Sequence, residues 1–285
     1  MSRKRIAVLE HAFAPAERLG LYVVQTLATL WREDGYEVVF LRGTQKRVDA
    51  DAILVHVDLS VVPDEYLAFA ATYPRVLNGS IRDIRKSVLG LNRVQRGDGF
   101  DGPVMVKSNL NCRGLPEFEL AVGRSVRWLG PQSFLIVRAL RWIYARTRAR
   151  QYRVYASPAD VPLHAWTHPW YVVERFLPEI EDGGYCLRMY SFLGDRGNWA
   201  RLTGPVPVLK GDTCSASEPI EPDAEVLALR RKYGMDYGKL DYVVRDGHAV
   251  LLDVNKTTGA SRRTRAPTFR PLHRNQAEGL YCYFD

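Results

Sequence analysis

The chain has 285 residues, 46% of them hydrophobic and 25% charged, with a net charge of +8 at neutral pH. That length suits one large domain or two lobes around a cleft, with apolar material for a sizeable core. No run of about 18 apolar residues occurs, which excludes a transmembrane helix. The basic-then-apolar start, MSRKRIAVLEHAF, is broken by Glu10 and His11 and lacks a small-residue cleavage site. It therefore reads as the first strand of a soluble, cytoplasmic protein, not as a signal peptide. Cys112, Cys186, Cys214 and Cys282 form no C-x-x-C pair and read as reduced structural thiols. Arginines crowd the acid-free stretch 124–153 and recur at Arg262, Arg263, Arg265 and Arg270. A solvated helix face and a polyanion-binding surface both fit such a cluster.

In chain order, KRIAVL (4–9) predicts a strand, and the spacing of Leu19 to Trp31 predicts an amphipathic helix over 17–33, closed by Gly35. Strands follow at 37–42 and 52–57, a helix over 63–73 and a short strand at 75–78. Alternation of this kind implies a parallel sheet with helices on its faces. No G-x-G-x-x-G follows the first strand, which argues against a dinucleotide site there. Residues 81–93 read as a helix, 103–107 as a strand, and 117–150 as partly helical with a break at Gly130-Pro131. Strands are expected at 152–157, 170–177 and 185–193. Asp195-Arg196-Gly197 is the expected turn into the next strand, and a helix spans 222–234.

Residues 239–255 read as a β-hairpin with Asp246-Gly247 at its turn. Alternation puts Asp241 on the face of Lys239 and Val243, and puts Asp253 with Asn255. A hairpin centred on Gly247 sets Asp241 beside Asp253, so three oxygen donors converge at one sheet end. Such a donor set suits Mg²⁺, which takes one or two carboxylates plus nucleotide phosphates. The apolar neighbours Leu252 and Val254 argue against a merely solvated Asp253, since a carboxylate in that setting needs a partner.

The run G-K-L-D-Y…V-L-L-D-V-N-K-T-T-G resembles the metal-binding hairpin of the ATP-grasp superfamily, which includes D-alanine–D-alanine ligase, glutathione synthetase and biotin carboxylase. The match falls on Asp241, Asp253, Asn255 and Gly259, with Asp at 253 in place of the commoner Glu. The resemblance implies an α/β chain: an N-terminal parallel βα domain (1–80), then two α+β lobes (81–169 and 170–285) enclosing the nucleotide. It implies ATP and Mg²⁺ as cofactors. Lys86 and Lys107 resemble the family's two phosphate-side lysines, and Lys210 a further one. VVERFLPEIE resembles the adenine-reading hinge, with Glu174, Phe176 and Leu177. Glu181 stands where the family has its ribose-binding acid, with Glu179 as the competing choice. Lys239 sits where a basic residue lies near the transferred phosphoryl group, and Arg188 is expected on the same layer to hold an acidic substrate. The chain departs from the pattern in the gap of about twenty residues between Lys86 and Lys107. SNLNCRGLPE also stands where a glycine-rich phosphate loop is expected; there Asn109, Asn111 and Gly114 are the candidates to line the phosphates.

If the resemblance holds, ATP phosphorylates a carboxylate and an amine attacks the acyl phosphate, with the lysines and Mg²⁺ stabilising the spread charge. The Arg-dense segment after Asn255 suits an anionic small-molecule or peptide substrate. A carboxylate–amine ligase of peptide or amino-acid type is the leading expectation. An ATP-grasp kinase is the second, and a non-catalytic basic protein binding nucleic acid the third. A homo-oligomer stays open.

Overall fold

β1 (Arg5–Glu10) buries Ile6 and Val8 on one face and Ala7 and Leu9 on the other. The computed structural model describes residues 4–14, 21–90, 92–147, 152–209, 213–261 and 264–284. α1 (Val23–Glu33) covers the first face with Val24, Leu27 and Trp31. It starts later than the spacing predicts: Tyr22 is extended and bridges Gly259, which ties its backbone outside the helix. The first residues of the expected helix lie outside the described residues. β2 (Glu37–Arg42) and β3 (Ala52–Val55) flank β1 in parallel. α2 (Asp64–Ala70) packs Tyr66 and Ala70 on the second face and leads to β4 (Val76–Leu77). The order is β2-β1-β3-β4, all parallel and covered on both sides, as a parallel sheet requires.

The expected helix over 81–93 shrinks to α3 (Lys86–Leu89). The reason is tertiary. Ile84 N–H donates to the Ser60 carbonyl, Val62 N–H to the Arg82 carbonyl, and the Asp83 carboxylate captures the Arg85 N–H at 2.9 Å. Those bonds hold 82–85 along the loop after β3 and compete with a helical ladder. β5 (Val104–Ser108) follows, then α4 (Leu115–Val126) and α5 (Ser133–Thr147), separated at Gly130 with φ 61°. β6 (Arg153–Tyr155), α6 (Leu163–Thr167) and β7 (Tyr171–Arg175) complete a small antiparallel sheet of order β6-β5-β7. β7 pairs with β5 along its length, so this sheet runs to Arg175.

The largest sheet contains β8 (Glu179–Glu181), β9 (Gly184–Leu193), β10 (Arg196–Gly204) and β11 (Ala216–Pro219). After α7 (Ala224–Lys232) it is completed by β12 (Tyr237–Arg245) and β13 (His248–Asn255). Its order is β11-β10-β9-β12-β13, with β8 on β9. The β9–β10 turn is Gly194-Asp195, a residue earlier than expected: Leu193 already pairs with Arg196, and Gly194 supplies the left-handed φ of 54°. α8 (Arg270–Glu278) then returns to α1, where the Trp31 indole N–H donates to the Ala277 carbonyl at 2.9 Å. The two ends of the chain thus share one core.

Candidate functional site

The small sheet and the large sheet face each other across a cavity of about 320 Å³. Met105 and Lys107 of β5 and Phe176 and Leu177 after β7 line it from one side. Leu187 and Met189 of β9, with Lys239, Asp241 and Asp253 of the hairpin, line it from the other.

A bulge creates the acidic end of the cavity. The β12–β13 turn is Asp246-Gly247, with φ of 52° and 81°, a two-residue turn that pairs Arg245 with His248. Counted back in strict alternation, that turn would set Asp241 against Leu252 and turn Asp253 to the opposite face. The register shifts at Asp241/Tyr242 instead, leaving Leu252 as the extra residue and setting Asp253 opposite Asp241. Lys239 pairs with Asn255 two residues further along. The expected juxtaposition therefore exists, but through a bulge and not through the turn alone.

Three ammonium–carboxylate pairs line up at this end. Lys86 Nζ lies 2.7 Å from Asp253 Oδ1, Lys107 Nζ 2.7 Å from Glu174 Oε2, and Lys239 Nζ 2.8 Å from Asp241 Oδ2. Lys107 also donates to the Leu252 carbonyl at 3.3 Å. Burial pushes the Asp253 carboxyl up, but the Lys86 ammonium, with Lys107 and Lys239 behind it, outweighs burial and holds it below the usual range. For Asp241 burial wins: it stays above the usual carboxylate range despite Lys239, and the Asp253 charge adds to the shift. Lys86 and Lys239 are both raised, since their carboxylates outweigh the burial that opposes them. Asp241 Oδ1 is buried and, among the described residues, has no hydrogen-bond partner. An orphaned carboxylate oxygen beside a second carboxylate fits a hard divalent cation. Asn255 Oδ1 accepts the Thr257 N–H at 2.9 Å, which fixes its amide at the hairpin exit.

Other expected residues are placed differently. Arg188 pairs with Tyr242, whereas Met189 pairs with Asp241, so Arg188 points to the face away from the cavity. There it makes a bidentate pair with Glu179, Nη2 to Oε1 at 2.7 Å and Nε to Oε2 at 3.1 Å, and Glu179 Oε2 also accepts the Val244 N–H at 2.7 Å. Arg188 is thus a buttress of the β8–β9–β12 junction and not a substrate clamp, and Glu179 is committed to it. Glu181 is exposed on β8, ion-paired with Arg201 and outside the cavity lining. The Phe176 N–H donates to the Pro103 carbonyl, which leaves Leu177 as the backbone donor of that pair. Lys210 lies outside the described residues, next to Leu209 of the lining. So do Arg148, Arg150, Arg262 and Arg263 of the arginine clusters. Asn109 is used structurally: its Oδ1 accepts the Ser87 N–H and its Nδ2 donates to the Pro169 carbonyl. Asn111 Oδ1 likewise accepts the Cys112 N–H. The four cysteines are free thiols.

Two residues escaped sequence reasoning. Tyr152 lines the cavity just before β6, its hydroxyl pushed up to about 12 by burial and then by Asp253. Nothing in the local pattern marks it. Lys256 is buried with Nζ donating to the Val57 and Leu59 carbonyls at 2.8 and 2.7 Å, bolting the hairpin exit to the end of β3. Its position directly after Asn255 was the available signal.

No family model and no curated protein matches the sequence. Solved structures do. D-alanine–D-alanine ligase from Bacillus anthracis superposes with a TM-score of 0.51 at 12% identity, covering 99% of both chains. A RimK-domain ATP-grasp protein from Sphaerobacter thermophilus gives 0.50 at 12% identity, over 97% of this chain and 98% of its own. The ATP-grasp ligase PsnB, in complex with a minimal precursor, Mg and ADP, gives 0.50 at 14% identity, over 100% and 99%. This chain has the ATP-grasp fold. At these identities the likeness speaks for the fold alone. Within it, the stretch where a glycine-rich loop was expected is a tight turn at Asn111–Gly114 followed by the α4–α5 helical arm. Among the described residues, no helix is long and apolar enough to cross a membrane.

Proposed function

We propose that this chain is an ATP- and Mg²⁺-dependent ligase that activates a carboxylate as its acyl phosphate and joins it to an amine, of the peptide or amino-acid type. The observation that carries the proposal is the bulged hairpin. It turns Asp241 and Asp253 onto one cavity face beside three lysines, and leaves one carboxylate oxygen without a partner among the described residues. In this reading Asp241, Asp253 and Asn255 hold the metal. Lys86 and Lys107 face the phosphates, and Lys239 stands nearest the transferred phosphoryl group. Phe176 and Leu177 wall the base, and Glu174 keeps Lys107 in place. The carboxylate oxygen takes the phosphoryl group as ADP leaves; the amine then takes the acyl group as phosphate leaves. Bound Mg²⁺ supplies charge neutralisation for the phosphates, and the chain's own contribution is positioning and fixed positive charge. The three-part division into 1–80, 81–169 and 170–285 belongs to this reading, and the use of ATP suits a cytoplasmic setting.

The test is a thermal shift with Mg²⁺ and ATP on the wild type and on Asp253→Ala/Asn255→Ala. Nucleotide at about a hundred times its Kd stabilises by roughly 2.7 kcal/mol. The double variant should lose that shift; a well-folded wild type that shifts with no nucleotide sinks the proposal. Product analysis then separates chemistries: free phosphate with ADP marks a ligase, whereas phosphate retained on the substrate marks the kinase alternative.

A further inference from the structure

The end of β3 grips the hairpin exit at two consecutive residues. Lys256 Nζ donates to the Val57 and Leu59 carbonyls, and between them Asp58 Oδ1 accepts the Thr257 hydroxyl at 2.7 Å. The Tyr22 hydroxyl donates to Asp58 Oδ2, so both carboxylate oxygens are engaged. Tyr22 is fixed in turn by its bridge to Gly259, and Val23 donates its N–H to the Thr258 carbonyl at 2.9 Å. Asp58 and Thr257 are both buried, and neither lines the cavity. Asn255 stands between this cluster and the cavity: it pairs with Lys239, which lies on the lining face with Asp241. Among the described residues, two donors reach Asn255 Oδ1, the Thr257 N–H at 2.9 Å and the Thr257 hydroxyl at 3.5 Å. An amide oxygen has two lone pairs, and a hydroxyl has one proton. The destination of that proton decides whether Asn255 keeps a lone pair open. Asp58 takes it, because a carboxylate at 2.7 Å outcompetes an amide oxygen at 3.5 Å.

We propose that Asp58 is a positioning residue for the metal site: by holding the Thr257 proton it leaves one lone pair of Asn255 Oδ1 free for a divalent cation. The inference rests on the reading in which Asn255 holds Mg²⁺, and it needs no contact between Asp58 and metal or nucleotide. In Asp58→Asn the Tyr22 phenol still requires an acceptor and keeps the amide oxygen, so the amide N–H turns to Thr257 Oγ1 and donates to it. The Thr257 hydroxyl proton then has Asn255 Oδ1 as its acceptor and competes with the cation there. Adding Thr257→Val takes the competing proton away and leaves the backbone N–H of residue 257 on Asn255. The double variant therefore recovers what the single variant loses. A plain clamp predicts the opposite, since two lost anchors give two losses. A through-space effect of the missing Asp58 charge would likewise persist in the double variant.

The experiment measures binding of a fluorescent ADP carrying an N-methylanthraniloyl group to the full chain, once in excess Mg²⁺ and once in EDTA. The ratio of the two affinities is the metal's contribution. For Asp58→Asn that ratio should fall at least about tenfold, with the affinity in EDTA within about twofold of wild type. For Thr257→Val, and for Asp58→Asn/Thr257→Val, it should lie within about threefold of wild type. Melting temperatures verify that each variant is folded. An unchanged ratio in Asp58→Asn overturns the inference. So does an equal loss in Mg²⁺ and in EDTA, or a double variant as poor as the single one. If Asp58→Asn does not fold, Thr257→Val alone decides: a retained ratio supports the inference, and a tenfold loss, on the order expected for a residue that itself orients a ligand, overturns it. A wild type that gains nothing from Mg²⁺ removes the proposed metal site and this inference together, whereas a wild type that gains and an Asp58→Asn that gains equally removes the inference alone.

Discussion

Replacing Glu174 with Gln should make the free protein weaker and its grip on nucleotide stronger. Each of Lys86, Lys107 and Lys239 is held by a carboxylate at 2.7–2.8 Å, and a triphosphate would have to share those ammonium groups. The Lys107–Glu174 pair is the most enclosed, with side chains 10% and 4% exposed. Removing one partner of such a pair leaves an uncompensated buried charge and costs about 3–5 kcal/mol. At about 2 °C per kcal/mol for a chain of this length, Tm should fall by roughly 6–10 °C. With Mg²⁺ and ADP the polyphosphate returns a counter-charge to Lys107, so the ligand-induced shift should exceed that of wild type. Differential scanning fluorimetry on both proteins, with and without nucleotide, reads the two quantities together. A variant melting within about 1 °C of wild type, or one whose nucleotide shift is smaller, would refute the reasoning. The companion variant Lys107→Met/Glu174→Leu should keep near-native stability, because apolar replacement of the whole pair removes both desolvated charges; it should also bind nucleotide poorly.

The other predictions are brief. Asp241→Asn should abolish Mg²⁺-dependent stabilisation by nucleotide, with circular dichroism unchanged, since the orphaned oxygen becomes a neutral amide oxygen or an N–H donor. His56 is fully buried and held down at about 4 by burial, with the Asp58 charge opposing and Lys256 adding to it. The unfolded chain binds that proton near 6.5, so this contribution is complete above pH 6.5 and lost as pH falls towards 4. It is worth about 3 kcal/mol, and urea unfolding of His56→Gln should show a correspondingly flatter pH profile over that window. Gly194→Ala should destabilise by at least about 2 kcal/mol: a Cβ there would overlap the Gly279 carbonyl, and φ is already +54°. Urea midpoints measure it, and a neutral result would contradict the close crossing of the β9–β10 turn and α8.

The residues that sequence reasoning placed well are those whose surroundings are local. The β-hairpin turn and the parallel sheet of the first eighty residues follow from periodicity and turn chemistry, whereas Lys86, Lys107 and Lys239 were singled out by the resemblance alone. The failures share one cause, which is register between segments distant in sequence. Alternation along β9 is plain, yet whether Arg188 or Met189 faces Asp241 depends on how β9 slides against β12, and a slip of one residue exchanges the faces. The bulge at Leu252 works the other way: a miscentred turn gave the right partner for Asp241, because the extra residue in β13 supplied the missing step. Residues 81–85 have helical spacing, but the Arg82 carbonyl and the Ile84 N–H are claimed by Val62 and Ser60, twenty or more positions earlier. Glu181 sits at the expected position, and only the fold reveals Arg201 beside it.

The two walls of the cavity are anchored by different physics, and this bears on how a ligand enters. The hairpin wall is tied to the N-terminal sheet by neutral or fully buried bonds. Lys256 reaches two carbonyls of the β3 exit, Thr257 Oγ1 donates to Asp58 at 2.7 Å, and Asn78 bonds the backbone of both Asp236 and Tyr237. None of these groups faces the cavity, so a nucleotide has nothing to offer them. The small sheet and the α3 segment before it meet the hairpin through the Lys86–Asp253 pair, the Lys107–Leu252 bond and an amide bond from Asn92 to Leu251. Two of those three contacts are made by ammonium groups that a polyphosphate would share. A ligand with that charge competes for these ammonium groups and not for the bonds that tie the hairpin to the N-terminal sheet. The bulge sets Asp241 and Asp253 side by side on the wall that is tied to the N-terminal sheet.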